Sequence, residues 1–119
     1  MAGKIIADTL EHSTAGSLTT DYVVNGSAKA WARYNGVTAT VNDSFNVSSI
    51  SDDGVGDQTL TFTNAMSNTN FSFAGHSSHY HTGNDNVASS STINIFTANS
   101  SHTKTDTSRV GCVVHGDLA

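Results

Sequence analysis

Apolar residues in this chain recur at every second position over short runs, and almost nowhere at the three-to-four spacing of an amphipathic helix. In Ala28-Lys29-Ala30-Trp31-Ala32-Arg33-Tyr34, one face carries Ala28, Ala30, Ala32 and Tyr34, and the other Lys29, Trp31 and Arg33. Asn35-Gly36 then marks a tight turn, with Val37 to Val41 returning. Phe45 to Ile50 reads as the next strand, Asp52 to Asp57 as a turn, and Thr59 to Thr63 as the return, with Leu60 and Phe62 on one face. Phe71 with Phe73, Ile93 with Ile95 and Phe96, and Val110 with Cys112 and Val114 mark three more strands. Polar loops over 75–91 and 98–108 separate them. The pattern predicts an all-β fold: a β-sandwich or jelly-roll-like barrel of about seven to eight short strands over residues 21–119. Residues 1–20 have apolar anchors at Ile5, Ile6, Leu10 and Leu18 but no period. They read as an extended N-terminal arm that either lies across a partner or pairs back as an edge strand.

Such a scaffold has little with which to build a core. Leu, Ile, Val and Phe make up roughly a fifth of the 119 residues, while Ser, Thr and Asn make up roughly 37%. Burial stabilises by only about 25 cal/mol per Å² of apolar surface, so a thin core gains from neighbours. The expected working form is therefore an oligomer or a component of a larger assembly. Ten acidic residues against five basic ones give a net charge of −5, without the clustered cations that nucleic acid or an anionic membrane surface requires. Neither is an expected partner. No apolar run is long enough to span a membrane, and the opening Met1 to Ile6 lacks the core of a secretion signal, so synthesis and use without export are expected. A single cysteine, Cys112, excludes an intrachain disulfide framework.

Several segments resemble a module found in structural proteins of tailed bacteriophages, cyanophages especially. They are Tyr22-Val23-Val24-Asn25-Gly26-Ser27-Ala28-Lys29-Ala30-Trp31, Asp43-Ser44-Phe45-Asn46-Val47-Ser48-Ser49-Ile50-Ser51-Asp52, Gly56-Asp57 with Leu60-Thr61-Phe62-Thr63, the lead-in Ala7 to Ser13, and the closing Gly116-Asp117-Leu118-Ala119. The resemblance covers residues 4–73 and the last ten, not the loops 75–91 and 98–108. It implies a virion component assembled in the host cytoplasm, either a small capsid cement (decoration) protein or part of a tail fibre. An arm followed by one β-domain, with no repetitive shaft, is similar to cement proteins. The expectation is a protein on the outer capsid surface, bound to the major capsid protein and to itself as a homotrimer. Its capsid-contact candidates are Ile5, Ile6, Leu10, Leu18 and Trp31. The alternative is a receptor-binding tail-fibre component that presents the two polar loops to the host.

His76, His79 and His81 fall on one loop and are candidates for a trimer or surface-loop role. His79 and His81, two apart, would point the same way in an extended segment. Neutral imidazoles suit iron, nickel, zinc or copper, and the spacing resembles the His-x-His iron sites of some phage fibre tips. The plainer reading, a solvated loop, is preferred, and no cofactor is expected. Asp52-Asp53-Gly54-Val55-Gly56-Asp57 lacks the spacing and terminal Glu of a calcium loop and reads as a hairpin turn. There is no nucleophile elbow, phosphate-binding loop or pair of glutamates, so no enzyme is expected. Cys112, alternating with two valines, reads as a core residue. Trp31 has two readings: a core residue, or an exposed contact or sugar-stacking platform flanked by Lys29 and Arg33.

Overall fold

In a computed structural model, which describes residues 3–79, 81–84 and 89–119, the alternation works as the sequence implies. Strand β3 (Ala30–Asn35) turns Ala30, Ala32 and Tyr34 inward, all buried, and leaves Trp31 and Arg33 outside. β4 (Thr40–Phe45) returns beside it after the Asn35-Gly36 turn, where the Asn35 side-chain oxygen accepts from the Val37 amide at 2.9 Å. β10 (Val110–His115) pairs on the other side of β3, and β7 (Ser72–Ser77) on the far side of β10. This four-stranded antiparallel sheet has the order β4-β3-β10-β7.

The second sheet has the order β5-β6-β9-β8, from β5 (Val47–Gly54), β6 (Asp57–Phe62), β9 (Thr92–Ala98) and β8 (His81–Gly83). Its inward residues Leu60, Phe62, Ile93 and Ile95 meet Ala30, Ala32, Tyr34, Val110, Cys112 and Val114 of the first sheet in one core. The body is thus a sandwich of eight strands, with each sheet contributing its apolar face. The expected strand from Phe45 to Ile50 divides at Asn46. That residue sits at φ 56° and serves as the corner between sheets. Its amide nitrogen donates to the Lys29 and Asn64 carbonyls, both at 3.0 Å, and its side-chain oxygen accepts from the Asn64 amide at 2.7 Å. Asparagine tolerates this left-handed backbone and satisfies both sides of the bend at once. The loop expected over 75–91 is likewise shorter, because β7 runs on to Ser77 and β8 lies inside the expected span.

The core also buries polar atoms. Among the described residues the Tyr34 hydroxyl and Gln58 Oε1 are both enclosed with no hydrogen-bond partner, although Gln58 Nε2 donates to the Gly36 carbonyl at 3.2 Å. Burial, with the Cys112 sulfur close by, holds the Tyr34 hydroxyl well above its ordinary titration range.

Residues 3–26 depart from an extended arm. β1 (Thr9–His12) and β2 (Gly16–Thr19) pair with each other, Leu10 opposite Leu18, through a turn in which His12 Nδ1 accepts from the Ala15 amide at 3.1 Å. Neither strand joins a sheet of the body, so the alternative of a return to the chain's own sheet is not realised. Helix α1 (Thr20–Gly26) follows, where the alternation had placed the start of the strands. Asp21 in its first turn favours the helix dipole, but seven residues make only two turns, too few for a legible period. From residue 3 to residue 27, only Thr20 is less than exposed. The radius of gyration is 16.7 Å, against about 13.5 Å for a compact chain of this length, and the longest dimension is 50 Å. The arm therefore projects.

Candidate functional site

Two surfaces stand out, and strand register builds the first. Across the outer face of the β4-β3-β10-β7 sheet, Phe45, Trp31, Val113 and Ala74 are successive cross-strand partners and form one apolar row. Trp31 is 37% exposed and Phe45 is 55% exposed. The core reading of Trp31 is therefore overturned: the small alanines of β3 face inward beside Tyr34, and the indole faces solvent.

The next row is Asp43, Arg33, Gly111 and His76. Gly111 leaves room that the His76 ring takes, since a Cβ there would stand 2.2 Å from the ring's Cε1. Trp31, Arg33, Gly111, Val113 and His76 line a shallow cleft of about 380 Å³. A second, of about 300 Å³, adjoins it between Arg33, His76, Ser78 and Arg109. Both arginines of the chain thus border one surface. Among the described residues neither forms an ion pair, and neither guanidinium donates a hydrogen bond. Asp43 lies opposite Arg33, but its Oδ1 accepts from the Ser44 amide at 2.9 Å. Tryptophan, phenylalanine and arginine together are the side chains that dominate binding surfaces. Lys29, placed on this face by alternation, instead turns back to the arm. Its ammonium donates to the Val24 carbonyl and, at 2.9 Å, to that of Ser27.

The arm forms the second surface. Ile5 and Ile6 are 92% and 81% exposed, and Leu10, Leu18, Tyr22, Val23 and Val24 are exposed as well. Lys4, Ile5, Ile6, Leu10, Val23 and Val24 border a hollow of about 400 Å³. The four arm residues singled out in the sequence are thus all at the surface, and α1 adds Val23 and Val24.

The histidines separate. His76 lies on the outer face described above. His79 precedes β8, its Nε2 at 3.2 Å from the Asp106 carbonyl oxygen. His81 stacks on His102 of the 98–108 loop, ring centroids 4.4 Å apart. The expected shared direction of His79 and His81 is not what the fold uses, because β7 ends at Ser77 in one sheet, β8 begins at His81 in the other, and each ring finds a different partner. Among the described residues, no three His, Cys, Asp or Glu side chains converge as a metal-ligand group.

The Asp52–Asp57 segment is the β5–β6 turn, with Gly54 and Gly56 at positive φ. Asp57 is partly buried, which would raise its pKa. Hydrogen bonds from Lys104 and Asn94, both at 2.6 Å, nonetheless hold it below the ordinary value. Cys112 is buried in the core, and burial pushes its thiol up to about 11. Native protein at neutral pH should therefore react with a maleimide far more slowly than unfolded protein. Equal labelling rates would show the thiol to be open.

Arg109, Gly111 and Val113 were missed as site residues because a strand's outer face is legible only once its neighbours are known. No protein-family model, curated protein or solved structure matches the chain, so its own surface chemistry carries the functional reading.

Proposed function

We propose that the chain is a structural protein of a tailed-phage virion, a cement protein that binds the outer surface of the capsid shell and stabilises it, working as a trimer. The observation that carries this reading is the projecting arm with seven exposed apolar side chains: Ile5, Ile6, Leu10, Leu18, Tyr22, Val23 and Val24. Exposed apolar side chains concentrated on one segment in this way mark a contact site. The segments resembling phage structural modules support the virion assignment, and the thin core supports a life among neighbours. The arm is assigned to the major capsid protein, with Ile5, Ile6, Leu10 and Leu18 as anchors. Trp31, a candidate for the same contact, lies on a surface of different chemistry.

A tail-fibre role is the second reading, favoured by the exposed Trp31–Arg33 cleft, which suits a host-surface ligand. Copy number separates the two. Cryo-EM of the particle should place the protein over the shell, at hundreds of copies by quantitative mass spectrometry. Density confined to the tail, with a few dozen copies, would refute the cement assignment.

A further inference from the structure

We propose that the outer face of the β4-β3-β10-β7 sheet binds an acidic polysaccharide, with the indole of Trp31 stacking on a pyranose ring and Arg33 and Arg109 holding its carboxylates. This goes beyond the shell assignment and uses a different surface from the arm.

The chain carries a net charge of −5, yet its two arginines border adjoining clefts with His76 between them. Asp43 stands opposite Arg33 on this face but forms no ion pair with it, while Asp53 and Asp57 lie on the other sheet, where Asp57 is engaged with Lys104. A guanidinium that is exposed and unpaired is free to form a two-pronged, charge-assisted hydrogen bond with a carboxylate. Trp31 and Arg33, two residues apart on one strand, stand roughly 6.6 Å from each other along it. That is about the reach from a sugar ring's apolar face to a charged substituent on it or on its neighbour. Val113 and Phe45 extend the apolar floor on either side of Trp31.

The fold argues against other anions. β3 and β10 are interior strands whose main-chain groups are committed to their neighbours, so an acidic peptide finds no strand edge to extend. A nucleic acid presents a phosphate at every nucleotide, and a net negative protein with two arginines and one histidine at the site neutralises few of them. A uronic-acid chain joins spaced carboxylates to flat, partly apolar rings and asks for side-chain contacts alone.

Trp31 is the sole tryptophan, so its emission reports directly on the cleft. Full-length protein is titrated with a short galacturonate oligomer, a neutral glucose oligomer, polyglutamate and a single-stranded oligodeoxynucleotide. The expected result is saturable quenching by galacturonate alone, weakened by salt. Arg33→Ala/Arg109→Ala should weaken binding at least tenfold while the circular dichroism spectrum and melting temperature are retained. Trp31→Ala, followed by calorimetry, should lose binding as well. Absence of galacturonate binding, equal binding of the neutral oligomer, or equal binding of polyglutamate or DNA overturns the proposal. The Arg33→Ala/Arg109→Ala protein should still decorate capsids. Failure to bind galacturonate by a protein that still decorates capsids defeats this inference and leaves the shell reading standing.

Discussion

Gly56→Ala should lower stability by about 3 kcal/mol or more and the melting temperature by roughly 10–20 °C, the largest effect expected of adding one methyl group to this chain. Gly56 adopts φ 64°, a left-handed conformation that costs a side-chain-bearing residue about 1 kcal/mol. Sterics add the rest. A Cβ at Gly56 would stand 2.5 Å from both the Thr105 nitrogen and the Thr97 oxygen, and 3.0 Å from the Thr105 oxygen. These are backbone atoms and cannot swing aside. The Gly56 amide also donates to Asp106 Oδ1 at 2.6 Å, and its carbonyl accepts from the Thr97 amide at 2.9 Å. Relieving the clash therefore means moving the β5–β6 turn away from both the end of β9 and the 98–108 loop, and breaking both bonds. Gly54→Ala is the internal control: its φ of 145° is strained, but nothing stands within 4 Å. It should cost only about 1–2 kcal/mol. Equal melting curves for the two variants would show that the loop yields freely.

Removing residues 3–26 should leave the melting temperature of the body within a few degrees and weaken capsid binding by at least about a hundredfold. The first expectation follows from the arm's exposure and from strands that hydrogen-bond only to each other. The second follows from the proposed contact. Each large aliphatic side chain moved from water into an interface contributes about 1.5–3 kcal/mol, and the truncation removes Ile5, Ile6, Leu10 and Leu18 together. Tenfold in affinity corresponds to about 1.4 kcal/mol, so a hundredfold loss is a conservative figure. The experiment mixes full-length or truncated protein with particles stripped of it and measures the bound fraction by sedimentation. Undiminished binding by the truncated chain would remove the arm from the contact. A body that unfolds without its arm would contradict the independence of the two parts.

The body was legible because period-two alternation needs no long-range information. Leu60 and Phe62, Ile93 and Ile95, and Val110, Cys112 and Val114 were assigned to shared faces from spacing alone, and all are buried in the core. The corner at Asn46 was not legible. Phe45, Val47 and Ile50 continue an apolar pattern across it, and only contacts to Lys29 and Asn64 reveal the bend. Trp31 illustrates the same limit. Alternation placed it opposite the alanines, but which face met the second sheet depended on the volumes of residues far along the chain. Tyr34, sharing the alanine face, settles it, since its bulk fills the space that Ala30 and Ala32 leave. His81 and His102 are a pair no local rule would join, because the stacking depends on how β8 and the 98–108 loop meet.

The join between arm and body consists of Ser27, Ala28 and Lys29, with the Lys29 ammonium gripping carbonyls at the end of α1 while its backbone amide donates to Val114 in the sheet at 2.8 Å. A long, unbranched side chain thus reaches from the sheet to the arm, and among the described residues of the arm no side chain is buried, so little packing need be undone to re-aim one part against the other. Curved lattices offer the same subunit a series of sites that differ slightly in tilt and spacing. A swivel of this kind would let one gene product occupy them all.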